Sequence, residues 1–152
     1  MTNIAPFLWF DTQAAEAMNF YVGLFDDARV LSVQQASDEG PVFSVSFSIG
    51  SQTFHAINGG PHYELTPATS WMVTCNSQRE IDRLWDALSE GGQPDQCGWV
   101  TDRFGVTWQI VPEVLLVHLS NPDPQIAGRV QEAMLGMTRI DIAGIERAAA
   151  GS

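Results

Sequence analysis

The sequence predicts an α+β fold made from two copies of one unit: a strand, a helix, then antiparallel strands. Three observations carry that expectation. Val42–Ile49 alternates strictly, with Val45, Phe47 and Ile49 on one face and Ser44, Ser46 and Ser48 on the other, the period of a half-buried strand. Two segments, 14–25 and about 77–89, repeat apolar residues at helical spacing. The order of elements also recurs, so that Phe54-His55-Ala56-Ile57 in the first copy aligns with Trp108-Gln109-Ile110-Val111 in the second. Two such units are expected to form a curved mixed sheet around a cavity, with helices outside. The copies fall at about residues 1–62 and 68–112, with 113–152 as a C-terminal helical extension of one structural domain.

In chain order, residues 4–10 are an apolar run broken by Pro6, which suits a strand near an edge or a position at a strand's start. Asp11 and Thr12 are capping types for a helix over 14–25, whose stripe is Ala14, Ala17, Met18, Tyr21, Leu24 and Phe25. Strands are expected at 30–34, 42–49 and 53–57, separated by turns at 37–41 and 50–52. The second copy opens with a strand at 69–75. Asn76 or Ser77 caps a helix to about Ser89, with Ile81, Leu84, Trp85 and Leu88 buried, and Glu90-Gly91-Gly92 ends it. A hairpin pairs 97–101 with 107–111 around the turn 102–105. There Asp102 accepts from its own turn and Gly105 takes positive φ. A short helix at 114–119, a break at Pro122 and Pro124, and amphipathic helix over 126–137 and 140–150 complete the chain.

Composition bounds the function. The 152 residues carry a net charge of −11, with seven Arg and no Lys. Nucleic acid and anionic membranes both require clustered positive charge, so neither is expected as a partner. Schiff-base chemistry and Lys-dependent phosphate loops are excluded with them. There is no signal peptide or long apolar run, which predicts a soluble, cytoplasmic protein. Cys75 and Cys97 have no zinc-type spacing and read as free thiols.

Strand parity proposes the cavity wall. Pro6, Leu8, Phe10, His55, Ile57, Ser70, Met72, Thr74, Thr107, Gln109 and Val111 are expected to face inward, and Phe7, Trp9, Phe54, Trp71, Val73, Trp108 and Ile110 to pack under helices. Gln109, polar within an apolar strand, needs a partner or a cavity. His55 either hydrogen-bonds a neighbour such as Gln109 or meets a ligand. Trp99 is the aromatic expected at the cavity rim. Cys97 beside Gly98-Trp99 is either a nucleophile or a structural thiol, and Cys75 is expected in the core. Asn58-Gly59-Gly60-Pro61 either offers backbone N–H groups to an anion or simply turns the chain out of the sheet.

Several runs together resemble a known family: Leu8-Trp9-Phe10-Asp11, Phe20-Tyr21, Asn58-Gly59-Gly60-Pro61, Cys97-Gly98-Trp99, 102–109 and Ala133-Met134-Leu135-Gly136-Met137. They are similar to PhnB-like proteins, often labelled 3-demethylubiquinone-9 3-methyltransferase, of the vicinal oxygen chelate superfamily. The resemblance implies paired βαβββ modules and commonly a homodimer. It also implies that the positions of the superfamily's metal ligands, on the first and last strand of each module, are Pro6, His55, Ser70 and Gln109. Pro has no side-chain donor, and Ser and Gln are weak ligands, so no metal or other cofactor is expected. A divalent metal is the minority alternative.

The expected function is therefore a small-molecule-binding protein or a metal-independent enzyme. His55 and Gln109 stand in the catalytic positions. Ser70, Asn58, Met72, Trp99, Phe10 and Cys97 contact a largely apolar ligand bearing one or two oxygens. The rivals are a metal-dependent lyase or dioxygenase and the methyltransferase of the family label. The methyltransferase lacks a glycine-rich turn for a nucleotide-type cofactor. The apolar stripe Val130, Met134, Met137, Ile140 and Ile145 is expected to help form a twofold homodimer interface.

Overall fold

In a computed structural model describing residues 1–152, the chain divides into two units, Met1–Leu65 and Thr66–Ser152. The first unit runs β1 (Phe7–Phe10), α1 (Ala14–Leu24), β2 (Ala28–Gln35), β3 (Val42–Ile49) and β4 (Gln52–Asn58). Its sheet has the order β1-β4-β3-β2, with β1 parallel to β4 and the other pairs antiparallel. The second unit repeats this plan: β5 (Trp71–Cys75), α2 (Gln78–Ser89), β6 (Gln93–Pro94), β7 (Trp99–Thr101) and β8 (Thr107–Pro112), in the order β5-β8-β7-β6. Then follow α3 (Glu113–Leu119), α4 (Pro124–Leu135) and α5 (Ile142–Ala150). The repeat read from the sequence is present, as two four-stranded sheets. The two-residue strand β6 was not foreseen, because Gln93-Pro94 carries no strand signature.

In the first unit α1 buries Ala14, Ala17, Met18, Tyr21 and Leu24. The sheet face beneath it presents Leu8, Phe10, Val45, Phe47, Phe54 and Ala56, all buried. Tyr21 lies 5.9 Å from Phe47, which stacks on Phe54 at 5.2 Å. In the second unit α2 buries the four expected residues, Ile81, Leu84, Trp85 and Leu88, over Val100, Trp108 and Ile110. Each such burial is worth about 1.5–3 kcal/mol. Ser77 caps α2 by accepting from the Glu80 N–H, and the Glu80 carboxylate accepts from the N–H of Asn76, the residue before the cap.

The start of α1 differs from expectation. Neither Asp11 nor Thr12 caps it; the N-cap residue is Gln13, with no side-chain bond of its own. Instead, Asn58 at the end of β4 accepts from the Ala14 N–H at 2.8 Å. The cap therefore comes from 44 residues away in sequence, beyond the reach of any local pattern.

The C-terminal stripe also serves a different purpose. Val130, Ile140 and Ile145 are buried with Val111 and Leu115 in one cluster, and Met134 and Met137 pack against it. Arg129 of α4 donates to the carbonyls of Ala148 and Ala149, fastening α5. Val130, Ile140 and Ile145 are thus taken up within their own unit, covering the end of β8. No helix is long and apolar enough to cross a membrane.

Candidate functional site

Each sheet has one face under its helix and one open face. In the first unit the register settles which residues share the open face. Phe7 lies opposite His55 and Trp9 opposite Ile57 in the parallel pair, while Ser46 lies opposite His55 and Ser44 opposite Ile57 in the antiparallel pair. Residues paired in this way project to the same side. Phe7 is 63% exposed and Leu8 5%, which confirms that the first faces away from α1 and the second toward it.

This reverses the expected parity of β1. Leu8 and Phe10 pack on the helix face, and Phe7 and Trp9 join His55. Phe10 is thus on the opposite side of the sheet from His55. The run Phe7-Leu8-Trp9-Phe10 is apolar at every position, so it holds no alternation from which parity could be read. Pro6 accepts the His55 N–H through its carbonyl at 3.0 Å, extending the pairing by one residue.

The polar centre of this face is His55. Its Nδ1 is hydrogen-bonded to Ser46 Oγ at 2.7 Å, and its ring lies 6.0 Å from that of Phe7. Ser46 was not among the expected site residues. Its place in the alternating strand, on the polar side, was the available signal.

Trp9, expected beneath a helix, instead covers the loop after β4. Its Nε1–H donates to the Gly60 carbonyl at 2.9 Å, and its ring stands edge-on to Tyr63. A Cβ on Gly59 would fall inside the Trp9 ring, so that position needs glycine. The N–H groups of Gly59 and Gly60 bind the carbonyls of Phe10 and Asp11. Asn58 spends its amide on Val42 and its oxygen on Ala14. The loop is a turn leaving the sheet, and these donors are already engaged within the unit.

In the second unit the parity is as expected. Trp71 pairs with Trp108 and Val73 with Ile110 on the α2 side, while Met72 pairs with Gln109 and Trp99 with Gln109 on the other. Gln109 Nε2 donates to Ser70 Oγ at 2.8 Å, leaving its oxygen free to accept. Met72 is 52% exposed beside it and Trp99 is half-buried. His55 and Gln109 therefore each have a serine partner within their own sheet, Ser46 and Ser70 respectively.

The hairpin turn sets this parity. Asp102 is 4% exposed and its carboxylate accepts from the Phe104 and Val106 N–H groups and from Trp108 Nε1. Gly105 has φ +89°, as the turn requires. Cys97 is the one non-glycine residue with positive φ, at 61°, and lies half-buried. Its N–H donates to the Met137 carbonyl, and that of Gly98 to Thr138, so the segment before α5 holds this corner. Cys75 is fully buried, and burial, reinforced by Glu80, pushes its thiol up to about 12. That leaves it protonated and inert at neutral pH.

The residues at the positions that the resemblance gives to metal ligands, Pro6 and His55 in the first unit and Ser70 and Gln109 in the second, do not have the chemistry to hold a divalent metal. Nowhere does the chain gather three His, Cys, Asp or Glu side chains around a common point. Pro6 brings no side-chain donor, and the Ser70 hydroxyl and the Gln109 oxygen are weak neutral ligands.

Two βαβββ units with helix-covered and open sheet faces are the building plan of the vicinal oxygen chelate fold. The chain belongs to the family described as 3-demethylubiquinone-9 3-methyltransferase, whose model matches residues 2–111. It is similar to a Bacillus cereus PhnB protein described as a candidate 3-demethylubiquinone-9 3-methyltransferase. That protein is 31% identical, with TM-score 0.68, over 73% of this chain and 99% of that one. A Pseudomonas aeruginosa protein, PA1353, is 26% identical with TM-score 0.64, over 74% and 98%. The fosfomycin resistance protein FosX of Mesorhizobium loti shares the fold at 14% identity and TM-score 0.52, over 72% and 89%. No curated protein matches the chain.

Proposed function

We propose that the protein binds a small, largely apolar molecule bearing one or two oxygens, as a binding protein or as an enzyme that works without a metal. The observation that carries this reading is the His55–Ser46 pair. It sets one oriented imidazole beside Phe7, Trp9 and Ile57, on an open face whose further residues, among them Ser32, Gln34, Ser44, Ser48 and Thr53, are polar. The apolar strip of Phe7, Trp9 and Ile57 with an oriented imidazole beside it is a combination that suits a small apolar molecule bearing an oxygen. On the second sheet, Gln109 and Ser70 beside Met72 and Trp99 form a face of the same character. Cys97, Asn58 and Phe10 lie outside this reading, since turn geometry, helix capping and core packing account for them.

The methyltransferase of the family's label would require a methyl-donor cofactor, and saturable binding of one would favour that activity over the present reading. The test of the reading is thermal stabilisation by acetophenone, benzoate and related one-ring carbonyl compounds. The expected result is a rise in Tm for the native chain that is lost in His55→Ala. No stabilisation by any of them, or equal stabilisation of the variant, overturns it.

The protein is also proposed to form a homodimer. Support comes from the edge strand β2, whose Val30, Leu31 and Val33 are all exposed, and from Phe43 at 49% exposure on the neighbouring strand. Apolar side chains on an open edge invite cover. Sedimentation at micromolar concentration decides the matter: a clean monomer of 16.6 kDa ends it.

A further inference from the structure

Ser46 and His55 face each other across β3 and β4, joined by a single hydrogen bond of 2.7 Å between Oγ and Nδ1. Which atom carries the hydrogen decides what His55 offers to a ligand, because a neutral imidazole has one donor and one acceptor nitrogen.

Three observations agree on the answer. The Ser46 hydroxyl has a hydrogen to donate, and Nδ1 is the side-chain atom it meets. The distance is the usual one for an O–H donor and lies at the short limit for an N–H donor. The register neighbours of His55 on this face are Phe7 and Ser46, and neither brings a carboxylate or a carbonyl side chain that would draw a hydrogen onto Nδ1.

We propose that Ser46 is a positioning residue that holds the His55 imidazole in the tautomer with hydrogen on Nε2. The open face then presents an N–H donor to whatever it binds. The ligand oxygen that meets His55 is a hydrogen-bond acceptor, such as a carbonyl or carboxylate oxygen on an apolar body. Ligands whose polar group can only donate, such as ammonium ions, are disfavoured because two donors would oppose each other. This inference rests on the reading of His55 as the ligand contact, but its test needs no ligand, so the two can fail separately.

The experiment is a long-range ¹⁵N–¹H correlation spectrum of the full-length labelled chain. His55 is distinguished from His62 and His118 by the signals lost in His55→Gln. In the native chain Nδ1 of His55 is expected in the unprotonated range and Nε2 in the protonated range. In Ser46→Ala the two shifts should move toward each other as both tautomers become populated, and Ser46→Thr, which keeps the hydroxyl, should restore the native pattern. The Thr arm separates loss of the hydrogen bond from damage to the strand. A native His55 with its hydrogen on Nδ1, or a native pattern unchanged in Ser46→Ala, overturns the proposal.

Discussion

Trp108 donates its indole N–H to the buried carboxylate of Asp102 at 3.0 Å, across the tip of the β7–β8 hairpin. The other carboxylate oxygen accepts from Phe104 and Val106 N–H at 2.9 and 3.0 Å. One side chain thus closes the turn and ties Trp108 to the α2 side of the sheet. Because neighbours alternate along a strand, it also holds Gln109 on the open face.

Asp102→Ala removes the acceptor from these buried donors. The expected cost is about 2–4 kcal/mol, the range for leaving buried hydrogen-bonding groups unmade. Chemical denaturation measures it, and a change below about 0.5 kcal/mol, typical of an unremarkable surface site, would show that the turn does not depend on this carboxylate.

Ending the chain at Leu119 would strip Val130, Ile140 and Ile145 from Val111 and Leu115. It would also remove the Met137 and Thr138 carbonyls that hold Cys97 and Gly98. The second unit is therefore expected to lose stability by several kcal/mol, since each large buried side chain contributes about 1.5–3 kcal/mol. A shortened chain that melts like the full one would mean that this cluster contributes little.

The thiol of Cys75 predicts alkaline sensitivity. Its folded-state value of about 12 lies above the ordinary 9.0. The contribution of the buried neutral thiol is complete below the lower value and is lost as pH rises from there toward the higher one. In that window stability should fall by about 1.4 kcal/mol per pH unit more steeply than in Cys75→Ala, which has nothing to ionise there. Denaturation of both chains at about pH 8 and about pH 10 checks it, and parallel losses would contradict the assignment.

Much of this architecture was legible in the residues because periodicity and turn chemistry are local. The stripe of α2, its Ser77 cap, the Asp102 turn and the facing of Trp108 and Gln109 all follow from spacing within a few residues. What local patterns do not carry depends on long-range pairing. The parity of β1 was hidden in four consecutive apolar residues and is set only by its alignment with β4. Asn58 caps a helix that begins 44 residues earlier. Ser46 becomes a site residue only because the β3–β4 register places it opposite His55. The apolar stripe of the C-terminal helices was real, but amphipathicity alone does not say which surface will cover it.

The central claim is that His55 serves a ligand without a metal, and the metal content of the purified protein tests it most directly. Far less than one divalent ion per chain is expected, the same in the native protein and in His55→Ala. One tightly held ion per chain that is lost in His55→Ala would contradict it and would make the protein a metal-dependent member of its class.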